Sequence, residues 1–393
     1  MTSTPLPEQF RVFAQGAARD GATTYDIICR GVAEDPDILA LIGEAPLAQR
    51  RPNLLLAAVH YLLLGGTRHP LAAHYDTVRS LSGAGSDTGA EGGDLVADFR
   101  DFCLTQRTEL LELIAVRSTQ TNEVGRCTAL LPGLAHIAAG YPDGQALHLL
   151  DLGTSAGLNL LFDSYRYTYR QRSDGSELEA GRAGSEVHLE CEARTDLDRL
   201  PPLALPTIAG RTGIDANPID PLSDDGAHWL LACLWPDNLP RFERFRGALS
   251  VAHDNPDPPA IHRGDIIDDL PAVAATIGGD EPLVVFHSWV AAYLTPERQG
   301  RLVEAVRALG GPRPIHHLYA ESPAETPGLP TPESPSPSPV SHLTTALVHL
   351  PPHGAPAVRL ADMHHHGNWL RWWVTPPDPT AHRAGPAPRR PPL

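Results

Sequence analysis

Residues 146–161 read Ala146-Leu147-His148-Leu149-Leu150-Asp151-Leu152-Gly153-Thr154-Ser155-Ala156-Gly157-Leu158-Asn159-Leu160-Leu161. An apolar run ends at an acid, breaks into a turn of small residues and resumes as an apolar segment of helical character. A strand buried on both faces reads as a near-continuous apolar run, and the turn that follows it is where α/β folds receive ligands. Gly153 and Gly157 remove side chains where a ligand must approach backbone, and the helix opening there offers unpaired N–H groups. The stretch predicts an α/β fold with a parallel sheet, its first turn lined by Asp151, Gly153, Ser155, Gly157 and Asn159.

Working outward, strands and helices alternate from about residue 143. Strands are expected at 147–151, 212–215, 261–263, 283–286 and 315–320, with helices at 158–163, 226–234, 270–277 and 296–309. Segments 165–171 and 186–193 flank polar Ser173-Asp174-Gly175 and predict an inserted hairpin. Segments 344–350 and 357–360 predict an antiparallel pair around Pro351-Pro352-His353-Gly354. Upstream, residues 8–142 read as helices, with 54–64 apolar nearly all round, 99–116 one long helix and 126–139 another. Residues 82–94 and 322–339 read as loops. The expected organisation is a helical N-terminal subdomain over 8–142, a Rossmann-like domain over 143–375 and a disordered Pro-rich tail over 376–393.

Composition narrows the function classes. Formal charge is −16, from 31 basic and 47 acidic residues, which argues against a protein built to grip nucleic acid. Arg241, Arg244 and Arg246 read as a solvated helix face. All 31 basic residues are Arg, a bias that goes with the abundant Ala, Gly and Pro of a high-GC genome. Cys29, Cys103, Cys127, Cys191 and Cys233 are odd in number and never form C-x-x-C, so reduced thiols in a cytoplasmic protein are expected. The N-terminus lacks a signal-peptide pattern, and 54–64 is too short to span a bilayer, so no membrane partner is expected.

Asp-x-Gly-x-x-x-Gly at 151–157 resembles the nucleotide-binding turn of S-adenosylmethionine (SAM) methyltransferases, with Ser155 where that family usually has a middle glycine. Gly213-Ile214-Asp215-Ala216-Asn217-Pro218 resembles the family's second signature, a strand ending in an acid whose two oxygens can accept both ribose hydroxyls. The plain alternative is an Asx-turn made by Asp215 before Pro218. Asp151 and Asp215 are 64 residues apart, against about 20 in the usual dinucleotide pattern. The inserted hairpin would absorb most of that excess. Ile261-His262-Arg263-Gly264-Asp265-Ile266 resembles the adenine-side segment, with Asp265 accepting from the amino group beside Ile266, while Asp268 or Asp269 caps the next helix.

The strand at 283–286 runs into His287-Ser288-Trp289, the strand end that faces the transferred methyl in the fold this resembles. His287 is therefore a candidate general base, or a positioning hydrogen-bonder, and Ser288 and Trp289 candidate substrate contacts. Between two apolar helices, Arg117-Ser118-Thr119-Gln120-Thr121-Asn122-Glu123-Val124-Gly125-Arg126 carries eight polar residues in ten. Arg117 and Arg126 could cover the cofactor's carboxylate, Gln120 and Asn122 could bind substrate, and Glu123 could deprotonate or orient it; an ordinary solvated turn is the alternative. His364-His365-His366 is not expected to hold a metal, because adjacent strand residues face opposite sides.

Gly153-Thr154-Ser155-Ala156-Gly157 also spells the G-x-S-x-G nucleophile elbow of serine hydrolases, with Asp265 and His287 in the matching chain order. Against it, no strands are expected before the turn and no His-Gly-Gly oxyanion stretch lies upstream, Gly65-Gly66 ending a helix.

Finally, residues 52–63, the Thr119-Gln120-Thr121-Asn122-Glu123-Val124-Gly125-Arg126 string, 150–160 and His366-Gly367-Asn368-Trp369-Leu370-Arg371-Trp372 together resemble an uncharacterised bacterial family known as a domain of unknown function. The resemblance spans about residues 8–374 and implies one evolutionary unit, in which the helical part lids the α/β part. The function expected from the residues is SAM-dependent methyl transfer to a small molecule. The alternatives are a serine hydrolase and a non-catalytic Rossmann-like module binding a nucleotide or a protein partner.

Overall fold

The computed structural model describes residues 4–81, 93–120, 122–311, 313–335 and 344–374. Thr121, most of the 82–94 loop, residues 336–339 and the 376–393 tail lie outside the described residues. In chain order the helices are α1 (Leu6–Arg19), α2 (Thr23–Val32), α3 (Pro36–Gly43), α4 (Pro52–Leu64), α5 (Asp76–Leu81) and α6 (Leu95–Thr105). They continue as α7 (Arg107–Val116), α8 (Cys127–Ala138), α9 (Asp224–Ala232), α10 (Leu239–His253), α11 (Leu270–Ala274) and α12 (Pro296–Arg307). The strands are β1 (Leu147–Leu152), β2 (Arg166–Gln171), β3 (Glu177–Gly181), β4 (His188–Ala193), β5 (Ile208–Asp215) and β6 (Ala260–Arg263). The remainder are β7 (Leu283–Ser288), β8 (Ile315–Glu321), β9 (Thr344–Leu350), β10 (Val358–His364) and β11 (Trp369–Trp372).

Two compact units divide at Asn122/Glu123, and Ile219–Asp254 returns to the first of them. The boundary therefore differs from the expected one near residue 142: α8 belongs with the sheet, and α9 and α10 belong with the N-terminal helices. Burial explains the exchange. Trp229 of α9 is fully buried in the helical core with Phe10, Ile28, Leu55 and Phe102, and its Nε1 donates to the Ser118 carbonyl at 3.0 Å. On the other side, Gly133 of α8 lets Leu318 and Leu347 of the sheet approach to 3.1 and 3.4 Å of where a Cβ would stand. An apolar helix face announces that it will be buried, but not against which partner.

In the helical unit, α4 is buried almost all round, as its composition predicts, with Pro52 in its first turn where a missing N–H is harmless. The expected single helix over 99–116 is two, because Gln106 (φ −98°, ψ 24°) leaves helical geometry between α6 and α7.

The second unit is built on one sheet of eleven strands, in the order β3-β2-β4-β11-β10-β9-β8-β7-β1-β5-β6. Strands β6, β5, β1, β7 and β8 are mutually parallel, the Rossmann-like core. Strands β8 to β11 fold back as an antiparallel meander, so the expected 344–350 and 357–360 pair gains a third strand. The expected inserted hairpin is corrected in its pairing. Strand β2 makes its hairpin with β3, pairs with β4 in parallel, and β4 joins the sheet through β11. Strand β3 is short and alternates Glu177-Leu178-Glu179-Ala180 without fully burying any residue, so it carries no apolar run that would have marked it. One face of the parallel core packs Leu150, Leu152, Ile214 and Val285 against Leu270 of α11 and Leu302 and Val306 of α12. Chain connections leave β1 toward β5 on one side and reach β7 and β8 on the other, so the topological switch point lies between β1 and β7.

Candidate functional site

At that switch point the carboxyl ends of three neighbouring strands deliver Asp151 from β1, Asp215 from β5 and His287 from β7. Asp151 is 4% exposed; burial pushes its carboxyl up to about 8, and the nearby Asp215 charge adds to the rise. Asp215 accepts the Ser155 N–H on Oδ2 at 2.9 Å and the Asn217 N–H on Oδ1 at 2.7 Å. It thus makes the Asx-turn and also ties the end of β5 to the turn after β1. Each carboxylate oxygen retains further lone-pair capacity after one such bond.

Ser155 (φ 54°) and Trp289 (φ 55°) both hold a left-handed backbone, one in the turn after β1 and the other after β7. Such conformations in non-glycine residues need support from their surroundings and gather at functional sites. Asp215 supports Ser155, while the Trp289 N–H donates to the Ala320 carbonyl at 3.2 Å and its indole to Thr345 Oγ1 at 3.2 Å. Gly153 (φ 73°) is needed twice, for its conformation and because a Cβ there would meet Val290 Cγ2 at 2.5 Å. A Cβ on Gly157 would stand 3.0 Å from Ile261. The glycines of the turn therefore sit against protein side chains.

The expected site residues divide between the units. Arg117, Gln120 and Asn122 lie in the helical unit. There Arg117 Nη2 pairs with Asp225 Oδ2 at 2.6 Å and stacks over Tyr61 and Trp229, holding that carboxyl below its usual range. Glu123 and Arg126 belong to the sheet unit. Arg126, 6% exposed, donates from Nε to the His365 carbonyl at 2.9 Å and from Nη1 to the Ser288 carbonyl at 3.1 Å. Its guanidinium carbon lies 6.0 Å from the Trp289 ring centroid. Asn159 accepts from Cys127 Sγ at 3.4 Å, and with Arg126, Ser288, Leu130, Phe286 and Leu318 it lines a small cavity between α8 and the sheet.

His287 is fully buried and both ring nitrogens have protein partners. Nδ1 donates to Glu321 Oε1 at 2.6 Å, and Nε2 lies 3.0 Å from His317 Nε2. The same Glu321 oxygen accepts the N–H groups of Val290 and Ala291 at 2.9 and 3.1 Å. Of the two roles open to His287 in the sequence, these contacts are those of a positioning hydrogen-bonder for the turn after β7. Asp265 accepts the N–H groups of Asp268 and Ile267 in its own loop, which together with Arg298 at 2.6 Å draw its carboxyl down against the effect of burial. Asp269 turns back to accept the Asp265 N–H at 2.7 Å, and α11 has no side-chain cap, so the cap expected from Asp268 or Asp269 is not made; Asp265 instead holds the turn that leads into the helix. Ile266 is buried beside it. With Asp265 and His287 so engaged, the triad order drawn for a hydrolase has no geometry behind it, and β1 is the first strand of the chain's described residues.

Residues missed in the sequence are Glu321 and the 364–367 turn. Glu123 Oε1 accepts the Gly125 N–H at 2.9 Å, and its Oε2 lies 3.0 Å from His366 Nδ1. Thr128 Oγ1 donates to the Gly125 and Gly367 carbonyls at 2.8 and 2.9 Å. Segment 123–128 thus reads the backbone of 365–367 nearly residue by residue. The signal available was only that both stretches were unusually polar; their meeting across some 240 residues was not encoded locally. All five cysteines are free thiols, and among the described residues no cluster of His, Cys, Asp or Glu could hold a metal and no helix is long and apolar enough to cross a membrane.

No curated protein matches the chain. Among solved structures, it is similar to magnesium protoporphyrin IX methyltransferase (ChlM) from Synechocystis PCC 6803 with bound SAM, at 12% identity and a TM-score of 0.24. That match covers 53% of this chain and 66% of the other, just under two thirds of its length. Residues 7–372 match one family, and the chain belongs to it: "Uncharacterized protein conserved in bacteria (DUF2332)".

Proposed function

We propose that this chain is a SAM-dependent methyltransferase acting on a small molecule. The observation that carries the reading is Asp215, an acid at the carboxyl end of β5 with one oxygen on the turn after β1, through the Ser155 N–H, and the other on its own Asx-turn, through the Asn217 N–H. Its remaining acceptor capacity suits a ribose diol, with Asn217 beside it. Asp151, Gly153, Ser155, Gly157 and Asn159 would border the methionine and ribose part, and Asp265 and Ile266 the adenine side. Arg126, Ser288 and Trp289 would border the acceptor. When bound, the cofactor supplies an activated methyl on a positively charged sulfur, so alignment and exclusion of water account for most of the rate.

A second reading, a non-catalytic module of the same fold, draws on Val290 and Ile261 packed against Gly153 and Gly157, since a turn built for packing needs the same glycines. Isothermal titration with SAM and its demethylated product separates them. Binding by the wild type and its loss in Asp215→Ala is expected of the enzyme; no heat at high micromolar ligand would sink the cofactor claim.

A further inference from the structure

We propose that Glu321 is the positioning residue of the switch-point site, setting from β8 both turns that border it, the one after β7 and the one after β1. The choice of SAM as the ligand these turns receive rests on the methyl-transfer reading; the role of Glu321 rests on the chain's own contacts.

Glu321 closes β8, where its backbone pairs with Ala346 of β9, while its neighbour Ala320 makes the last parallel pair with Ser288 of β7. The Glu321 carboxyl takes up the chain that leaves β7. Its side chain is 1% exposed, and one oxygen, Oε1, accepts from His287 Nδ1 at 2.6 Å and from the Val290 and Ala291 N–H groups at 2.9 and 3.1 Å. Two successive N–H groups converge on that oxygen because Trp289 is left-handed (φ 55°) and Val290 follows at φ −113°, ψ −42°. An anion in such a nest supports a backbone conformation that an L residue rarely adopts.

The imidazole is held in its turn. His287 Nε2 lies 3.0 Å from His317 Nε2, a separation that holds one proton between the two rings, and the His287 ring stacks on Tyr319 with centroids 5.3 Å apart. Burial pushes His317 well below its ordinary value, which keeps that ring neutral. His287 and Ser288 also line the small cavity between α8 and the sheet.

Val290 carries the constraint to the other turn. Its Cγ2 and Cγ1 stand 2.5 and 3.0 Å from where a Cβ on Gly153 would lie, so the isopropyl group rests on the left-handed glycine that opens the turn after β1. Gly153 and Thr154 donate to the Ile214 carbonyl at 2.8 and 3.3 Å, next to Asp215. One carboxylate thus sets Ser288 and Trp289 directly and, through Val290, the glycine turn.

Glu321 Oε2, equally buried, finds no donor among the described residues. An idle oxygen on a buried carboxylate is costly, and an apolar contact could hold a turn without it. Its retention fits a place where two turns must be kept in a strained, pre-organised form for a ligand.

Hydrogen exchange on the full chain, resolved by residue, tests this with two variants. Glu321→Gln keeps the volume but offers the converging donors a neutral amide. Exchange should quicken about tenfold or more at Val290 and Ala291 and, with them, at Gly153 and Thr154, while β9 keeps its protection. Val290→Ala leaves the backbone N–H groups in place and should quicken Gly153 and Thr154 alone. Unchanged exchange at 290–291 in Glu321→Gln, or at 153–154 in either variant, overturns the positioning role.

Isothermal titration with the demethylated cofactor adds a reading that lost stability alone would not move. Leu302→Ala, which opens a cavity between α12 and the sheet, is the control for destabilisation. Glu321→Gln should bind about tenfold or more weakly than wild type, and Leu302→Ala as wild type does. Wild-type affinity in Glu321→Gln, or equal losses in the two variants, overturns the role. If the wild type takes up no cofactor while exchange in both turns follows Glu321 and Val290, the positioning stands and the methyl-transfer reading falls.

Discussion

Gly125 and Gly367 meet backbone to backbone. A Cβ built on Gly367 would overlap the Gly125 carbonyl, and one on Gly125 would overlap the His366 carbonyl. Gly367 also holds φ 78°, which an L side chain rarely adopts. The contact brings the segment before α8 against the turn between β10 and β11, where Arg126 and Thr128 bond the His365 and Gly367 carbonyls.

Gly367→Ala should therefore lower stability by about 2–4 kcal/mol, through overlap and backbone strain together. Gly16→Ala is the control: nothing lies within 4 Å of its Cβ position, and α1 should tolerate or welcome the change. Thermal unfolding of the two variants side by side decides it; equal midpoints would show that the contact is loose.

Arg126→Lys should be poorly tolerated. One ammonium cannot reproduce a fork that reaches the His365 carbonyl from Nε and Ser288 from Nη1. A loss of about 1–3 kcal/mol is expected from the carbonyls left without donors. Hydrogen exchange should quicken in the 364–367 turn and at the end of β7; unchanged protection in both would contradict this.

The Asp151 carboxyl, pushed up to about 8 by burial from an ordinary value of 3.8, links stability to alkaline pH. A folded-state value above the unfolded one gives stability that is full below the unfolded value and lost as pH rises through the folded one. The melting temperature of the wild type relative to Asp151→Asn should fall by more than about 2 °C between pH 5 and pH 9. A constant difference would mean that the carboxyl stays ionised throughout.

Buried histidines act in the opposite direction. His60, bonded to the Ala232 and Leu234 carbonyls and to Thr77, is pushed down to about 4, as is His316, and His349 to about 3, in each case chiefly by burial. Folded values below the unfolded 6.5 mean that the contribution is full above about 6.5 and lost as pH falls toward 4. Melting temperatures recorded from pH 7.5 to 4 should drop steeply over that window. His60→Gln, lacking the titrating ring, should show a shallower slope; an identical slope would remove His60 from the account.

Much of the sheet was legible because a buried parallel strand is written locally, as an apolar run closed by an acid or a glycine. Asp151 and Asp215 fell at strand ends as that pattern put them, and β7 and β8 began at the expected Leu283 and Ile315 but ran on to Ser288 and Glu321. Strand β3 escaped it, being short and without a fully buried residue, and so did the break at Gln106, which interrupts an otherwise unbroken apolar period. The assignment of α8 and α9 to their units could not be read either, since an amphipathic face does not name its partner.

The chain by itself determined the strand-to-turn grammar of the sheet, because backbone preferences and burial act over a few neighbouring residues. Only the tertiary structure decided that Glu123 would meet His366, that Arg126 would join His365 to Ser288, and that Glu321 would take both His287 and the turn after it. These contacts join residues tens to hundreds of positions apart, set by a sheet that places β11 beside β4 and β7 beside β1, strands far apart in sequence.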